Sequence, residues 1–429
     1  MLKKNNALSV VIILIFCGLS GYAQQDLNNN NTTSPYSRYG LGDLHHYGYG
    51  RTTAMGGASL GSRHSVQINS ANPASYNSID SLSFIFEFGM DAKFSNYKSN
   101  TGSMKASDIN FRYFSLSFPI SKKIGAGLGF QPYSDMGNEI AYSEVKPNIG
   151  TVSYNYTGEG STSKAYFGAS VIPFKGLSLG ANLNYIFGRL NQNSNTSFAE
   201  TSLFDISSTE GTRISDFTLT YGLQYDYEIK KNQYLTLGVT FENQSDVTAF
   251  HRLYTFKTIT VGTSGLVDTI QYTPESKAII KLPSTIGIGL SYNNLNKLEI
   301  NADYYYAAWS KSTFYGETDP VLTNQSRFSA GVEYIPEMFS IRSYLKRVKY
   351  RAGLHYENSY LILNNHQIKE TGLSFGAGIP FPKSKSTANI AFEFGKQGTT
   401  ENNLVRNTYT KFSIYLNLYD YWFVKRKFD

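Results

Sequence analysis

The stretch Leu82-Ser83-Phe84-Ile85-Phe86-Glu87-Phe88-Gly89-Met90-Asp91-Ala92-Lys93-Phe94-Ser95 carries an apolar residue at every second position. Strict period two predicts a β-strand with one apolar face and one face of mostly polar or small residues. Strands of soluble proteins usually run about 3–10 residues. A longer strand of this kind is typical of a barrel wall between lipid and a wet lumen, although a half-buried strand of a soluble sandwich also alternates.

The same alternation recurs along the rest of the chain. Clear examples are Leu177–Phe187, Phe217–Tyr227 and Leu298–Tyr306. From Leu82 onward the pattern predicts about 14 strands, an even number as in bacterial single-chain barrels. Short connections such as Ser121-Lys122-Lys123 alternate with long ones such as Ser134–Thr162 and Asp246–Pro283. This regular alternation of short and long connections predicts a transmembrane antiparallel β-barrel with short periplasmic turns and long extracellular loops.

The composition agrees with a barrel and excludes other classes. Only 17% of the residues are charged, whereas 15% are aromatic. After the first two dozen residues, no apolar run approaches the roughly 20 residues of a membrane-spanning helix. The formal net charge of +7 comes from scattered side chains without a basic cluster, so nucleic acid is not an expected partner.

The N-terminus has the three parts of a secretory signal peptide. Lys3 and Lys4 precede the apolar segment Leu8–Leu19, and Gly21-Tyr22-Ala23 has the small-x-small pattern of a cleavage site. We therefore predict a signal peptide over residues 1–23. A lipoprotein signal at Cys17 is disfavoured because Phe16 stands where a small residue is needed. Cys17 is the only cysteine, so the mature chain contains none.

Residues 24–81 differ from the rest. The segment 24–33 is rich in asparagine, and Ser34–Ser75 is rich in glycine and small residues without long alternation. About 45 residues are too few for an independent core without a metal or disulfide. We therefore predict that this segment packs inside the barrel formed by residues 82–429.

Two motifs in this segment resemble the FadL family of outer-membrane channels for hydrophobic compounds. The tripeptide Asn72-Pro73-Ala74 stands between the glycine-rich segment and the first strand, and Ser34–Gly42 reads Ser-Pro-Tyr-Ser-Arg-Tyr-Gly-Leu-Gly, which is similar to the Bacteroidetes-type branch. Leu282-Pro283 and Gly331–Tyr334 extend the resemblance. It implies a 14-stranded barrel in the outer membrane of a Gram-negative bacterium, with residues 24–81 as a hatch inside the lumen.

The resemblance also implies the function. We expect passive uptake of hydrophobic small molecules, such as long-chain fatty acids or aromatic hydrocarbons, through an apolar pocket in contact with outer-membrane lipid. The alternative is a barrel that does not transport and acts as a structural partner in an outer-membrane secretion or assembly machine. An apolar closed pocket would favour the channel, whereas a plugged lumen with an exposed patch on the loops would favour the partner.

The third predicted strand contains a candidate defect in the wall. Gly125, Gly127 and Gly129 share its lumen face, and Pro132 lacks the N–H that a central strand needs. The FadL family has a kink in this strand that opens toward lipid, so these four residues are the candidate lateral opening. The alternative is that the strand simply ends at Pro132, above the membrane.

Other motifs do not predict chemistry. The G-x-S-x-G pattern of Gly57–Gly61 lacks the strand and helix of a nucleophile elbow, and His45-His46 lacks a third ligand. The lumen-facing carboxylates are expected to line the lumen and to pair with Lys93, Arg112 and Arg351. They are Glu87, Asp91, Glu299, Asp303, Glu333 and Glu393. We expect no enzyme, no cofactor and no metal.

Overall fold

The computed structural model describes residues 31–45, 48–200, 203–261 and 264–421. The predicted signal peptide, His46 and the C-terminal tail lie outside these residues. The strands are β1 (Asp43–Leu44), β2 (Ser83–Lys98), β3 (Ser103–Ser121), β4 (Ile124–Met136), β5 (Glu139–Lys146), β6 (Gly150–Phe174), β7 (Leu177–Phe198), β8 (Asp205–Lys230), β9 (Gln233–Glu242), β10 (Ser245–Val261), β11 (Ser264–Leu282), β12 (Thr285–Asn294), β13 (Leu298–Ala307), β14 (Thr313–Phe314), β15 (Gln325–Tyr334), β16 (Lys349–Leu363), β17 (His366–Pro380), β18 (Thr387–Gln397) and β19 (Arg406–Tyr421).

Fourteen of these strands form a closed antiparallel barrel, as the sequence predicts. The ring runs in chain order through β2, β3, β4, β6, β7, β8, β9, β12, β13, β15, β16, β17, β18 and β19. It closes where β19 pairs with β2, from Arg406 opposite Lys98 to Tyr421 opposite Ser83. Closure gives every strand of the ring two neighbours, which is what a sheet in lipid requires.

Side chains alternate between two environments along the wall. Outward positions carry large apolar residues that stay exposed on the isolated chain, among them Phe167, Phe217, Ile288, Leu354 and Phe394. Inward positions carry buried polar residues, among them Asn182, Gln224, Asp303, Glu333 and Glu393. This is the lipid-facing and lumen-facing arrangement of a membrane barrel. Among the described residues, no helix has the length and apolarity to span a membrane.

The long connections contain more strand than the sequence suggests. The interval Asp246–Pro283, interpreted as a loop, is the hairpin of β10 and β11, and Ser134–Thr162 contains β5 and the first half of β6. β10 pairs with residues 205–214 of β8, so the hairpin extends the wall. A strand that faces water on its outer side needs no apolar face. Backbone pairing can therefore continue where the period-two pattern of the sequence disappears.

Residues 31–81 lie inside the barrel and form only short elements. These are the 3-10 turns Pro35–Arg38, Gly50–Met55 and Pro73–Ser78, together with β1. The described residues from Asn31 to Tyr421 form one compact unit, and the turns Gly50–Met55 and Pro73–Ser78 together contact most of the barrel strands. Further 3-10 turns, Trp309–Lys311, Leu345–Arg347 and Glu401–Asn403, lie between strands.

The alternation of turns and hairpins predicts the orientation in the membrane. In intact cells, a membrane-impermeant maleimide should label a cysteine placed at Glu275 in β11 and should not label one at Lys231 in the turn between β8 and β9. Both side chains are exposed, so accessibility depends only on the side of the membrane. Disrupted cells serve as the control, because both sites should then react. Labelling of position 231 in intact cells would reverse the orientation.

Candidate functional site

The tripeptide Asn72-Pro73-Ala74 attaches the internal segment to the wall. The Asn72 side chain accepts a hydrogen bond from the Ala74 N–H at 3.1 Å and so caps the turn Pro73–Ser78. Its amide also donates to the Leu60 carbonyl at 3.0 Å and to the Leu223 carbonyl of β8 at 3.2 Å. The same side chain therefore starts the turn and holds it against the barrel.

Glycines of the wall allow the internal segment to approach closely. A Cβ at Gly125 would lie 2.2 Å from the Tyr76 carbonyl oxygen, and one at Gly127 would lie 2.9 Å from the Tyr76 ring. A Cβ at Gly129 would instead meet the Phe114 carbonyl oxygen at 2.5 Å. The space beside Gly125 and Gly127 is thus occupied by the internal segment. Close packing explains these two glycines, and of the four predicted residues only Pro132 lies at an irregularity of the strand.

Opposite this contact, Gly353 of β16 receives the turn Gly50–Met55. A Cβ at Gly353 would lie 2.1 Å from the carbonyl carbon of Met55 and 2.3 Å from the Gly56 nitrogen. Both are backbone atoms, so a side chain there requires the turn itself to move. The internal segment is therefore packed between glycine positions on different parts of the wall.

A buried ionic network joins the internal segment to β13, β15 and β16. Arg51 Nη2 lies 2.5 Å from Glu299 Oε1, and Arg51 Nη1 lies 3.3 Å from Glu333 Oε2. Arg351 Nε lies 2.6 Å from the same oxygen of Glu333. The sequence predicts Arg351 as one of the partners of the lumen carboxylates, but it does not identify Arg51, which is in a segment without periodicity. Charges buried to this degree are stable only when they are paired.

His64 adds a titratable group to the network. Its Nε2 lies 3.0 Å from Glu299 Oε2. Burial, and then the nearby Arg51 guanidinium, lower the pKa of His64 below its ordinary value. The imidazole is therefore neutral at pH 7 and donates its N–H to Glu299.

Among the described residues, two groups of side chains are close enough together to bind a metal. His64, Glu299 and Glu333 share the network with Arg51 and Arg351, while His355, Glu370 and Glu393 lie together beside Lys411. Lys411 Nζ is 2.8 Å from Glu393. His45 lies 2.5 Å from Asp135. Each group therefore contains a carboxylate that already has a cationic partner within the protein.

The G-x-S-x-G pattern forms a loop that is held by a carboxylate. Asp303 of β13 accepts the backbone N–H groups of Ser59 at 2.5 Å and of Leu60 at 2.9 Å. The Ser59 hydroxyl donates to the Gly57 carbonyl at 3.2 Å. Ser59 is therefore a structural residue of a tight loop, and Asp303 is an acceptor for its backbone.

The wall has a gap between β3 and β4. Pairing of these strands ends at Phe114 opposite Phe130, although β3 continues to Ser103 and β4 to Met136. β4 does not end at Pro132, because a register shift between Pro132 and Ser134 lets the strand continue. On the C-terminal side of this register shift in β4, β1 of the internal segment pairs with β4, with Leu44 opposite Ser134.

Side chains of the internal segment bridge this gap. The backbone carbonyl of Asn31 accepts a hydrogen bond from the side-chain amide of Asn110 in β3 at 2.7 Å. The side-chain amide of Asn31 donates to the carboxylate of Asp135 in β4 at 3.0 Å. His45 lies 2.7 Å from Arg112 of β3 and 2.5 Å from the same Asp135. The internal segment thus takes the place of the missing pairing between the two strands.

The cavity that the internal segment forms with Arg112 and Glu393 is charged, unlike the apolar pocket that the sequence leads us to expect. Its volume is about 160 Å³. Its charged lining residues are Asp43, His45, Asp91, Lys93, Asp108, Arg112, Asp135, Arg327, His355, Glu357, Glu370, Glu393 and Lys411. Lumen-facing strand positions are polar throughout this barrel, so a cavity between them inherits their charges. A larger cavity of about 620 Å³ lies beside His64 and Phe339.

A smaller cavity lies beside Pro132. It has a volume of about 50 Å³ and a mixed lining, with apolar side chains such as Ile186 and Trp309 beside the charged Lys164 and Glu242. Several of the apolar residues belong to a larger packed apolar cluster that also contains Leu41 and Tyr360. Part of this cluster therefore lies beside Pro132.

Replacement of Gly353 by Val tests the packing of the internal segment. The side chain would clash with the backbone of Met55 and Gly56, so we expect a destabilisation of roughly 1–3 kcal/mol, as for overpacking in general, and faster proteolysis of residues 31–81. Urea unfolding and limited proteolysis in detergent would measure both. Gly102→Val is the matched control, because nothing lies within 4 Å of its Cβ position. Equal stability of the two variants would contradict this packing.

Replacement of Arg51 by Met tests the network. Glu299 and Glu333 would then be buried without a shared partner, so we expect a loss of roughly 3–5 kcal/mol in the free energy of unfolding. Urea unfolding at pH 7 would measure it. Arg213→Met is the control, because Arg213 pairs with Glu275 on an exposed surface and should matter little. Similar losses in both variants would show that burial of the network is unimportant.

Comparisons with known proteins agree with this architecture. No curated protein matches the sequence. The toluene transporter TodX of Pseudomonas putida has a TM-score of 0.58 at 16% identity, covering 87% of this chain and 99% of its own. The toluene transporter TbuX of Ralstonia pickettii has a TM-score of 0.57 at 14% identity, with coverages of 86% and 98%. A Pseudomonas aeruginosa FadL homologue has a TM-score of 0.54 at 12% identity, with coverages of 89% and 99%.

Identities this low show a shared fold and no more, and the fold is that of the FadL-type barrels. A sequence model of a protein family, described as BamG, matches residues 1–429 of this chain. The chain therefore belongs to the BamG family and has a FadL-like fold.

Proposed function

We propose that the protein is an outer-membrane channel for passive uptake of hydrophobic small molecules. Its chain would be exported by the signal peptide 1–23 to the outer membrane of a Gram-negative, Bacteroidetes-type bacterium. Residues 24–81 would act as the hatch and residues 82–429 as the barrel. The shared fold with toluene transporters and a FadL homologue supports this proposal.

The observation that carries the proposal is the gap between β3 and β4. Unpaired backbone next to lipid is costly unless a cavity or another segment receives it. In this barrel β1 of the internal segment pairs with β4 at this place, and a cavity of mixed polar and apolar lining lies beside Pro132. Movement of β1 away from β4 would join that cavity to the lipid, so that a ligand leaves sideways.

The internal segment favours this lateral route over a route straight through the lumen. A ligand that continued along the axis would meet the paired charges of Arg51, Glu299, Glu333 and Arg351. An apolar molecule gains nothing from replacing these partners, and breaking them would leave buried charges uncompensated. The lateral route leaves the network intact.

The charged cavity does not separate the two ligand classes. A long-chain fatty acid has a carboxylate as well as an apolar chain, whereas an aromatic hydrocarbon offers its ring face to a cation. Arg112 and Lys93 line the cavity, but more carboxylates than cations line it, and Arg112 already pairs with Asp91 at 3.1 Å. Both the fatty acid and the aromatic hydrocarbon therefore stay within the proposal.

A reversible disulfide tests the movement of β1. Leu44 and Ser134 are directly opposite in the pairing of β1 with β4, and paired strand positions are separated by about 4.5–5.5 Å between Cα atoms, which is within the range of disulfides. The variant Leu44→Cys/Ser134→Cys should take up labelled fatty acid slowly when oxidised and at the normal rate after reduction. Uptake by whole cells would be compared with that of cells lacking the protein.

The control disulfide is Ser143→Cys/Ser153→Cys in the pairing of β5 with β6. Those two hydroxyl oxygens are 2.8 Å apart in an exposed part of the hairpin, and neither residue pairs with β1 or β4. Its oxidation should leave uptake unchanged. Equal uptake by the oxidised and reduced Leu44–Ser134 variant would reject the lateral exit. If the unmodified protein gives no more uptake than cells lacking it, transport itself is wrong.

A second candidate, a structural partner in an outer-membrane machine, is supported by two observations. The internal segment and its ionic network occupy the lumen, and the cavity beside Arg112 and Glu393 is charged. The extensions of the wall also expose apolar side chains, with Val145 at 79% and Tyr272 at 67% exposure. Absence of uptake in the experiment above would favour this function.

A further inference from the structure

The connection between β15 and β16 is the most apolar exposed part of the short-turn rim. We call residues 336–347 the rim loop. Phe339 is 78% exposed, Leu345 is 68% exposed and Ile341 is completely exposed. Other short turns on this rim, such as Lys122-Lys123 and Lys231-Asn232, are polar. Adjacent large apolar side chains on a protein surface mark a site that another apolar phase or molecule covers.

Two tyrosine hydroxyls hold the rim loop beside the lipid-facing wall. Tyr350 is an outward residue of β16, and its hydroxyl donates to the Leu345 carbonyl at 3.1 Å. The Tyr344 hydroxyl donates to the carbonyl of Pro380, the last residue of β17, at 2.7 Å. Tyr350 is paired with Tyr334 of β15, which is also exposed. Tyrosines in such positions are typical of the boundary between lipid and water.

The charges of the rim loop are predominantly positive. Arg342, Lys346 and Arg347 are opposed by a single carboxylate, that of Glu337, which lies 3.2 Å from Lys346. The loop therefore combines apolar side chains with a positive excess. This combination binds membrane surfaces that contain acidic lipid, because the apolar groups enter the headgroup region and the cations attract phosphate.

We infer that the rim loop inserts into the periplasmic leaflet and binds the headgroups of acidic phospholipids. Continuity with the lipid face argues for lipid over a protein: Tyr350 and Tyr334 lie on the outer wall, and the loop is hydrogen-bonded to this wall. The inference goes beyond transport and concerns only how the barrel is seated in the membrane. It holds for either proposed function.

A fluorophore at position 341 tests the insertion. The variant Ile341→Cys, in the mature chain without Cys17, would be labelled with an environment-sensitive dye and reconstituted into phosphatidylcholine vesicles with and without phosphatidylglycerol. Ile341 is fully exposed, so the substitution should not disturb folding. We expect a blue-shifted emission that nitroxide-labelled lipids quench and aqueous iodide does not. Quenching by the lipids should increase with phosphatidylglycerol.

Two controls separate insertion from mere proximity. Lys122→Cys, in the polar turn between β3 and β4, should remain accessible to iodide in the same vesicles. Addition of Arg342→Gln and Arg347→Gln to Ile341→Cys should remove the dependence on phosphatidylglycerol. A dye at 341 that iodide quenches in vesicles would overturn the inference. Protection from iodide only in native outer membranes would also overturn it, because a protein would then cover the loop.

Discussion

Pairing of the backbone is the constraint on which this structure depends. In lipid, each N–H and C=O group needs a partner within the protein, so the sheet must close on itself. The chain satisfies this around the ring, from β2 to β19 and back. The exception is the upper part of β3 and β4, where the pairing ends at Phe114 and Phe130. There the internal segment supplies both a short strand and bridging side chains.

Closure of the wall and the position of the internal segment are coupled. Glycines such as Gly125 and Gly353 have no side chain, and backbone of the internal segment occupies the space. Arg51 adds charge pairing with two strands. The wall thus provides shape and charge for the segment, and the segment provides β1 for the wall. A movement of the internal segment therefore moves the wall, and the reverse, because the two are in direct contact.

Much of this fold could be predicted from period-two alternation, because lipid and lumen impose opposite demands on neighbouring residues. The alternation of Leu82–Ser95 is found in β2, where Glu87 and Asp91 are buried and Met90 and Phe94 are exposed. The extensions β10 and β11 were not predictable in this way, because strict alternation is missing from their sequence. Arg51 was missed for a related reason, since the contacts of an irregular segment depend on tertiary packing. The glycines of β4 were found, but their use by Tyr76 needs knowledge of the internal segment.

The seam between β2 and β19 has a consequence for assembly. The internal segment directly precedes β2 in the chain, and its turn Gly50–Met55 touches β15 to β19 as well as β2. The first and the last strand of the barrel thus meet beside the enclosed segment. We therefore expect closure of β19 onto β2 and enclosure of the turn Gly50–Met55 to be one step of assembly, because this turn contacts both strands.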